Sequence, residues 1–99
     1  MTVPVVAIFI AKPGSESELE ALFRGVIDTT LQEEGCISYQ LNRDTDNPRR
    51  FVWTEEWQSQ ALLDQHIRAA HIVTLFDAIK PLIERSDVIV LEKAAGGQA

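Results

Sequence analysis

Residues 3–11 are almost wholly apolar, with Val3, Val5, Ala7 and Phe9 alternating against Val6, Ile8 and Ile10, and Lys12-Pro13-Gly14 closes the run. A short apolar stretch bounded by Pro and Gly predicts a strand that seeks burial on both faces. Ser15-Glu16-Ser17-Glu18 has the spacing of a capping box, in which Ser15 accepts from the Glu18 amide while the Glu18 carboxylate reaches back, so a helix is expected to start there. Leu19, Leu22, Phe23, Val26, Ile27 and Thr30 continue the helical stripe, and Gly35 suits the left-handed residue that ends a helix. Cys36–Arg43 then alternates, Ile37, Tyr39 and Leu41 against Ser38, Gln40 and Asn42, which predicts a half-polar strand. After the turn-forming Asp44-Thr45-Asp46-Asn47-Pro48, the run Arg50–Trp57 sets Phe51, Trp53, Glu55 and Trp57 on one face, and the two strands should pair as a hairpin.

Ser59 is a candidate N-cap for a helix with the stripe Leu62, Leu63, His66, Ile67 and Ala70. A second stripe, Ile72, Leu75, Phe76, Ile79 and Ile83, follows in a different phase, so a bend is expected near Ala69 to His71, with Pro81 marking the helix's last turn or its end. Ser86–Glu92, centred on Val88-Ile89-Val90-Leu91, reads as the last strand. The order βαββααβ predicts an α+β fold, an antiparallel sheet with its helices on one face, as in ferredoxin-like proteins. Helices on one face leave the other open, yet the first and last strands are apolar on both. A bare apolar sheet is larger than monomers tolerate, so a second copy of the chain in a two-fold dimer is the expected cover.

At 99 residues, 45% apolar and 24% charged, the chain suffices for one globular domain and no more. Fifteen Asp and Glu against nine Lys and Arg give a net charge of −6, and the basic residues are scattered, so nucleic acid is not an expected partner. Cys36 is the sole cysteine and cannot form an internal disulfide, which points to a reducing cytoplasm. The N-terminal apolar stretch lacks a basic leader and is far shorter than the ~20 residues of a membrane span, so neither a signal peptide nor membrane insertion is expected.

No phosphate-cradling glycine loop, Cys-x-x-Cys metal site or Gly-x-Ser-x-Gly elbow is present. His66 lies on an apolar stripe and therefore points inward, either as a hydrogen-bonded core imidazole or as a neutral general base in a desolvated pocket. His71 falls about 140° further round a continuous helix. The two therefore do not form an i, i+4 metal pair, and with no third ligand apparent no metal is expected. Glu55 shares a face with Phe51, Trp53 and Trp57, where a carboxylate needs a partner, either a structural one such as an arginine or a backbone amide, or a ligand or histidine that it orients. The aromatics could line a flat pocket for a planar molecule, to which Tyr39 on the paired strand would add a hydroxyl. Cys36 follows a helix C-terminus, which disfavours a thiolate. Glu33 and Glu34 sit unfavourably at that same negative end, where an arginine partner would explain them.

Ala11-Lys12-Pro13-Gly14, Glu33-Glu34-Gly35-Cys36, Ser38-Tyr39, Phe51-Val52, Glu55-Glu56-Trp57, His66 and His71, in this order, resemble the antibiotic biosynthesis monooxygenase domain family. The resemblance spans about residues 3–92, so 1–93 are read as one such domain and 94–99 as a disordered C-terminal tail. It implies a dimeric α+β barrel and, for the quinol-oxidising members, a monooxygenase that needs no cofactor and turns a small aromatic quinol or phenol into a quinone with O2. Carried over, Glu55, Trp57, His66 and His71 match the family pattern and Tyr39 matches less specifically. His66 and Glu55 are thus the catalytic candidates, with Trp53, Trp57, Tyr39, His71 and Phe51 expected around the substrate. Some members carry asparagine where this chain has Trp53. The resemblance also admits a haem-degrading branch, although Ala7 replaces a polar residue expected there. The alternative from a different class is a non-catalytic ligand-binding or stress-response dimer, in which His66 and Glu55 are core polar groups.

Overall fold

The structure, a computed structural model, describes residues 1–97. The chain runs β1 (Val3–Ala11), α1 (Glu16–Arg24), α2 (Ile27–Leu31), β2 (Cys36–Arg43), β3 (Arg50–Trp57), α3 (Gln60–Arg68), α4 (Ala70–Ile79), a 3-10 turn (Lys80–Leu82) and β4 (Ile83–Val90). The strands form one antiparallel sheet in the order β2-β3-β1-β4, so the expected ferredoxin-like α+β fold is what the chain adopts. The core lies between the helices and one sheet face. Val5, Ala7, Phe9 and Ala11 enter it from β1, Phe51, Trp53 and Trp57 from β3, and Phe23, Leu63 and Ile72 from the helices.

The first helix is not continuous. Gly25 breaks it into α1 and α2, and the Val26 N–H donates to the Phe23 carbonyl at 3.3 Å, a tightened bond at the weakest helix former in the stretch. Nor does Ser15 build a capping box. Its backbone is not extended (φ −100, ψ 2), so its hydroxyl makes no capping bond, and its N–H instead closes a turn onto the Lys12 carbonyl at 3.0 Å. Ser59 does cap: with an extended backbone its Oγ accepts from the Leu62 N–H at 3.2 Å.

Two strand assignments shift. Ile37 is 47% exposed rather than facing inward with Tyr39, because a bulge between Cys36 and Ser38 inserts it as the extra residue. The last strand begins at Ile83, which the periodicity had placed on α4. Pro81 sits in the 3-10 turn that ends the helix, and Ile83 pairs with Ala11 across a second bulge. Its end, Val90, is followed by one further bond from the Leu91 N–H to the Pro4 carbonyl at 2.9 Å. Residues 91–97 carry neither helix nor strand, and the last two residues of the expected tail lie outside the described residues.

Gly35 is in the left-handed region (φ +85), and a Cβ there would overlap the Leu62 side chain. This contact seats the loop before β2 directly on the first turn of α3. At the far edge of the sheet β4 is left largely uncovered among the described residues: Val88, Ile89 and Val90 are 54%, 43% and 47% exposed. On the face away from the helices, Val6, Ile8 and Ile10 are only half-buried.

Candidate functional site

Strand alternation along β3 turns Phe51, Trp53, Glu55 and Trp57 toward the helices, and the β2 register sets Tyr39 opposite Glu55. Leu63 and His66 on α3 close over them. Between sheet and helices lies a cavity of about 200 Å³, walled mainly by apolar side chains such as Val5, Ala7, Leu63 and Leu75. Its ionisable lining groups are Tyr39, Glu55 and His66. Ile67, Phe76 and Val88 line it too and are 41%, 37% and 54% exposed, which marks the side on which it meets the surface.

Of the residues expected around a substrate, Tyr39 and Trp53 line this cavity, their rings stacked at 4.4 Å. Trp57 is fully buried behind it and packs on the His66 ring at 4.5 Å. Phe51 is also set back, covered on one side by the Arg43 guanidinium at 4.8 Å. His71 stands outside the lining, 6.3 Å from His66 between ring centroids.

Glu55 does not meet an arginine. Its Oε1 accepts from the Trp57 indole N–H at 3.0 Å. Burial pushes its carboxyl up to about 7, the indole bond pulls it back, and the charge of Glu33 adds to the rise. Near neutral pH this group is therefore present in both its acid and its base form. Burial likewise drives the Tyr39 phenol upward, with Glu55 adding to the effect, so the ring presents a protonated hydroxyl. The Cys36 thiol is pushed up to about 11 by burial and by the charges of Glu33 and Glu55, which keeps it in the unreactive form.

His66 is 5% exposed, and its Nδ1 lies 2.7 Å from Glu33 Oε2. Burial lowers its pKa while the Glu33 hydrogen bond and charge raise it. An ionised carboxylate at Nδ1 can only accept, so Nδ1 carries the proton and Nε2 is left with a lone pair. Among the described residues no side chain hydrogen-bonds to Nε2. A neutral imidazole, fixed in tautomer from behind and unpaired toward an apolar cavity, is equipped to take a proton there.

Glu33 is the residue at the candidate site that periodicity did not single out. Its partners are two histidines and no arginine: His71 Nε2 lies 3.2 Å from the same Oε2, and Thr30 Oγ1 lies 3.0 Å from that Nε2. The one available signal was the pair Glu33-Glu34 at the wrong end of a helix. Glu33, His66 and His71 bring three ligand-type atoms within 4.8 Å of one another, so the third ligand missing from the sequence pattern exists. Their spacing is nonetheless that of a hydrogen-bond network. Ligand atoms sharing a tetrahedral ion at ~2.1 Å stand about 3.4 Å apart, whereas here one pair is at 2.7 Å.

Residues 2–78 match the family described as Antibiotic biosynthesis monooxygenase. Rv0793 of Mycobacterium tuberculosis, provisionally named a monooxygenase, is 32% identical over 83 residues, covering 84% of this chain and 81% of that protein. Its solved structure gives a TM-score of 0.92 at 30% identity, over 99% of this chain and all of the other (100%). The probable quinol monooxygenase YgiN of Escherichia coli is 26% identical over 98 residues, 89% of this chain and 94% of its own. An uncharacterised Synechocystis protein, sll1783, is 29% identical over 87 residues; the match covers 88% of this chain and 59% of that longer protein.

Proposed function

The chain belongs to the antibiotic biosynthesis monooxygenase family, and on that premise we propose that it oxidises a small aromatic quinol or phenol to a quinone with O2, using no bound cofactor. The observation that carries this reading is the unpaired Nε2 of His66 at an apolar cavity, with Nδ1 held by Glu33 at 2.7 Å. His66 Nε2 takes the substrate's O–H proton. Because the cavity walls do not solvate the resulting phenolate, that anion gives up an electron to O2 more readily than it would in water. The aryloxyl radical and superoxide combine at a ring carbon, forming a C–O bond, and His66 returns its proton to the peroxide. Loss of the C–H proton from that carbon to the Glu55 carboxylate breaks the O–O bond, leaving the second carbonyl and hydroxide, which takes the proton back from Glu55 and departs as water. One oxygen atom enters the quinone, the other leaves as water, and the substrate supplies all the electrons.

Tyr39 and Trp53, stacked along one wall, would orient a planar ring, and Trp57 and Phe51 would hold that wall from behind. The volume suits one or two fused rings: about 200 Å³ lies below the ~300–1,000 Å³ of sites for drug-sized ligands, which also argues against a haem macrocycle. We place the protein in the cytoplasm as a homodimer, its second copy covering β4 and the half-buried face of Val6, Ile8 and Ile10. No helix among the described residues is long and apolar enough to cross a membrane.

Oxygen uptake with a panel of reduced quinols and polyphenols, before and after adding haem, tests the reading. Haem-free uptake above autoxidation supports it. Saturable binding of those compounds without uptake overturns it in favour of a binding role, and a Soret shift does so in favour of the haem branch.

A further inference from the structure

We propose that Glu33, His71 and Thr30 form a proton path joining His66, the base in the closed cavity, to solvent. The inference rests on the oxygenase reading for its purpose but on the network itself for its evidence.

His66 has little water of its own, being 5% exposed. Its second nitrogen is the way out. Nδ1 contacts Glu33 Oε2 at 2.7 Å, the same oxygen contacts His71 Nε2 at 3.2 Å, and the His71 side chain is 23% exposed. A purely structural partner for His66 would need one carboxylate oxygen and no more. Here that oxygen bridges a buried imidazole and a partly exposed one.

The resting state pairs the atoms of the path. With Glu33 ionised, Oε2 accepts from His66 Nδ1–H and from His71 Nε2–H, and Thr30 Oγ1, fully buried and 3.0 Å away, accepts from the same His71 N–H. When His66 has taken a proton at Nε2, its Nδ1–H bond breaks and the proton passes to Oε2. The carboxylic acid so formed donates to the single lone pair of His71 Nε2 in the tautomer protonated at Nδ1, and the Thr30 hydroxyl then no longer bonds to that nitrogen. Transfer to Nε2 makes His71 an imidazolium, which releases its Nδ1 proton to water. That release leaves the proton on Nε2, which is the tautomer that donates to Oε2 in the resting state. Run backwards, the path supplies the proton that the peroxide needs. Tyr39 and Glu55, the other titratable groups around His66, line the cavity; the Tyr39 hydroxyl also reaches Thr30, whereas Glu55 bonds to the Trp57 indole instead.

The test is solvent exchange of the His66 ring proton, followed by NMR on protein labelled with 15N-histidine and without substrate. We expect His71→Gln and Glu33→Gln, which can hydrogen-bond but cannot relay a proton, to slow that exchange by about a hundredfold, the lower end of what a positioned proton-transfer group contributes. In His71→Ala, free imidazole should restore it. Unchanged exchange in both Gln variants, with dispersed spectra showing a folded protein, overturns the path. Because no substrate is present, failure of the path and failure of the oxygenase reading register separately: uptake of O2 with His71-independent exchange removes the path alone.

Discussion

His66 on α3 and Glu33 in the loop before β2 meet at 2.7 Å although 33 positions separate them in the chain. The contact is at once a tertiary restraint and the setting of an imidazole tautomer. Both consequences can be measured.

Removing the base should remove the chemistry. His66→Ala is expected to lower O2-dependent turnover by about 10²–10⁴-fold, the usual contribution of a general base, while circular dichroism shows the fold retained. Glu33→Gln should reduce kcat with little change in KM, since Glu33 does not line the cavity. Turnover of His66→Ala equal to that of the parent protein would remove His66 from the mechanism.

Stability against pH should show two opposing trends. The carboxyl of Glu55 is raised from 4.5 to about 7 in the fold, so the folded state binds more protons than the unfolded between those values. Its contribution is complete below 4.5 and is lost as pH rises through 7. The loss is up to about 3 kcal/mol by linkage. His66 is lowered from 6.5, so its contribution is complete above that value and is lost as pH falls. Urea midpoints from pH 5 to 8 should therefore rise across the upper range in Glu55→Gln relative to the parent chain, leaving the histidine trend exposed. Parallel profiles for the two proteins would show that Glu55 titrates normally. Glu33, His71 and Tyr39 also face this region, and Glu55→Gln leaves all three in place.

Gly35→Ala and Gly14→Ala separate backbone strain from overlap. Both glycines are left-handed, at φ +85 and +87, and an alanine in that region costs roughly 1–2 kcal/mol. Gly14 has open space around it, whereas Gly35 faces Leu62. Gly35→Ala should therefore destabilise by about 1–3 kcal/mol more than Gly14→Ala, the range for overpacking. Equal losses on chemical denaturation would mean that Leu62 yields without resistance.

Sedimentation at micromolar concentration should give a dimer. Ile89→Asp, on the uncovered edge strand where the side chain is 43% exposed, should shift it to monomer. A monomeric parent chain would rule out the proposed assembly.

The fold was legible because its strands and helices differ sharply in period: the β3 alternation from Phe51 to Trp57 and the inward His66 both follow from spacing alone. Local backbone geometry was not legible in the same way. Ser15 and Ser59 look alike in sequence, yet only Ser59 has the extended backbone that aims its hydroxyl at an amide. The bulge at Ile37 adds a residue without any Gly or Pro to announce it, and the polar run after Ile83 hides a strand paired to the end of β1. At the site, periodicity turned Tyr39, Trp53, Glu55 and His66 toward the cavity, did not show that Phe51 and Trp57 stand behind it, and missed Glu33, because a loop residue belongs to no stripe. It is brought to His66 by tertiary packing, and only its awkward position at a helix C-terminus hinted that something elsewhere compensated it.

Gly35 lies just after Glu33, and Leu62 lies one helical turn before His66. The close seating of that glycine on that leucine thus acts as a gauge block for the carboxylate–imidazole separation. A single methyl added at position 35 would wedge the loop from the helix and lengthen a hydrogen bond that neither altered atom touches. Drift in packing at this point would surface as a change in the proton affinity of a distant ring, and a survey of the protein's tolerance to substitution would find the site's electrostatics guarded by a residue with no side chain.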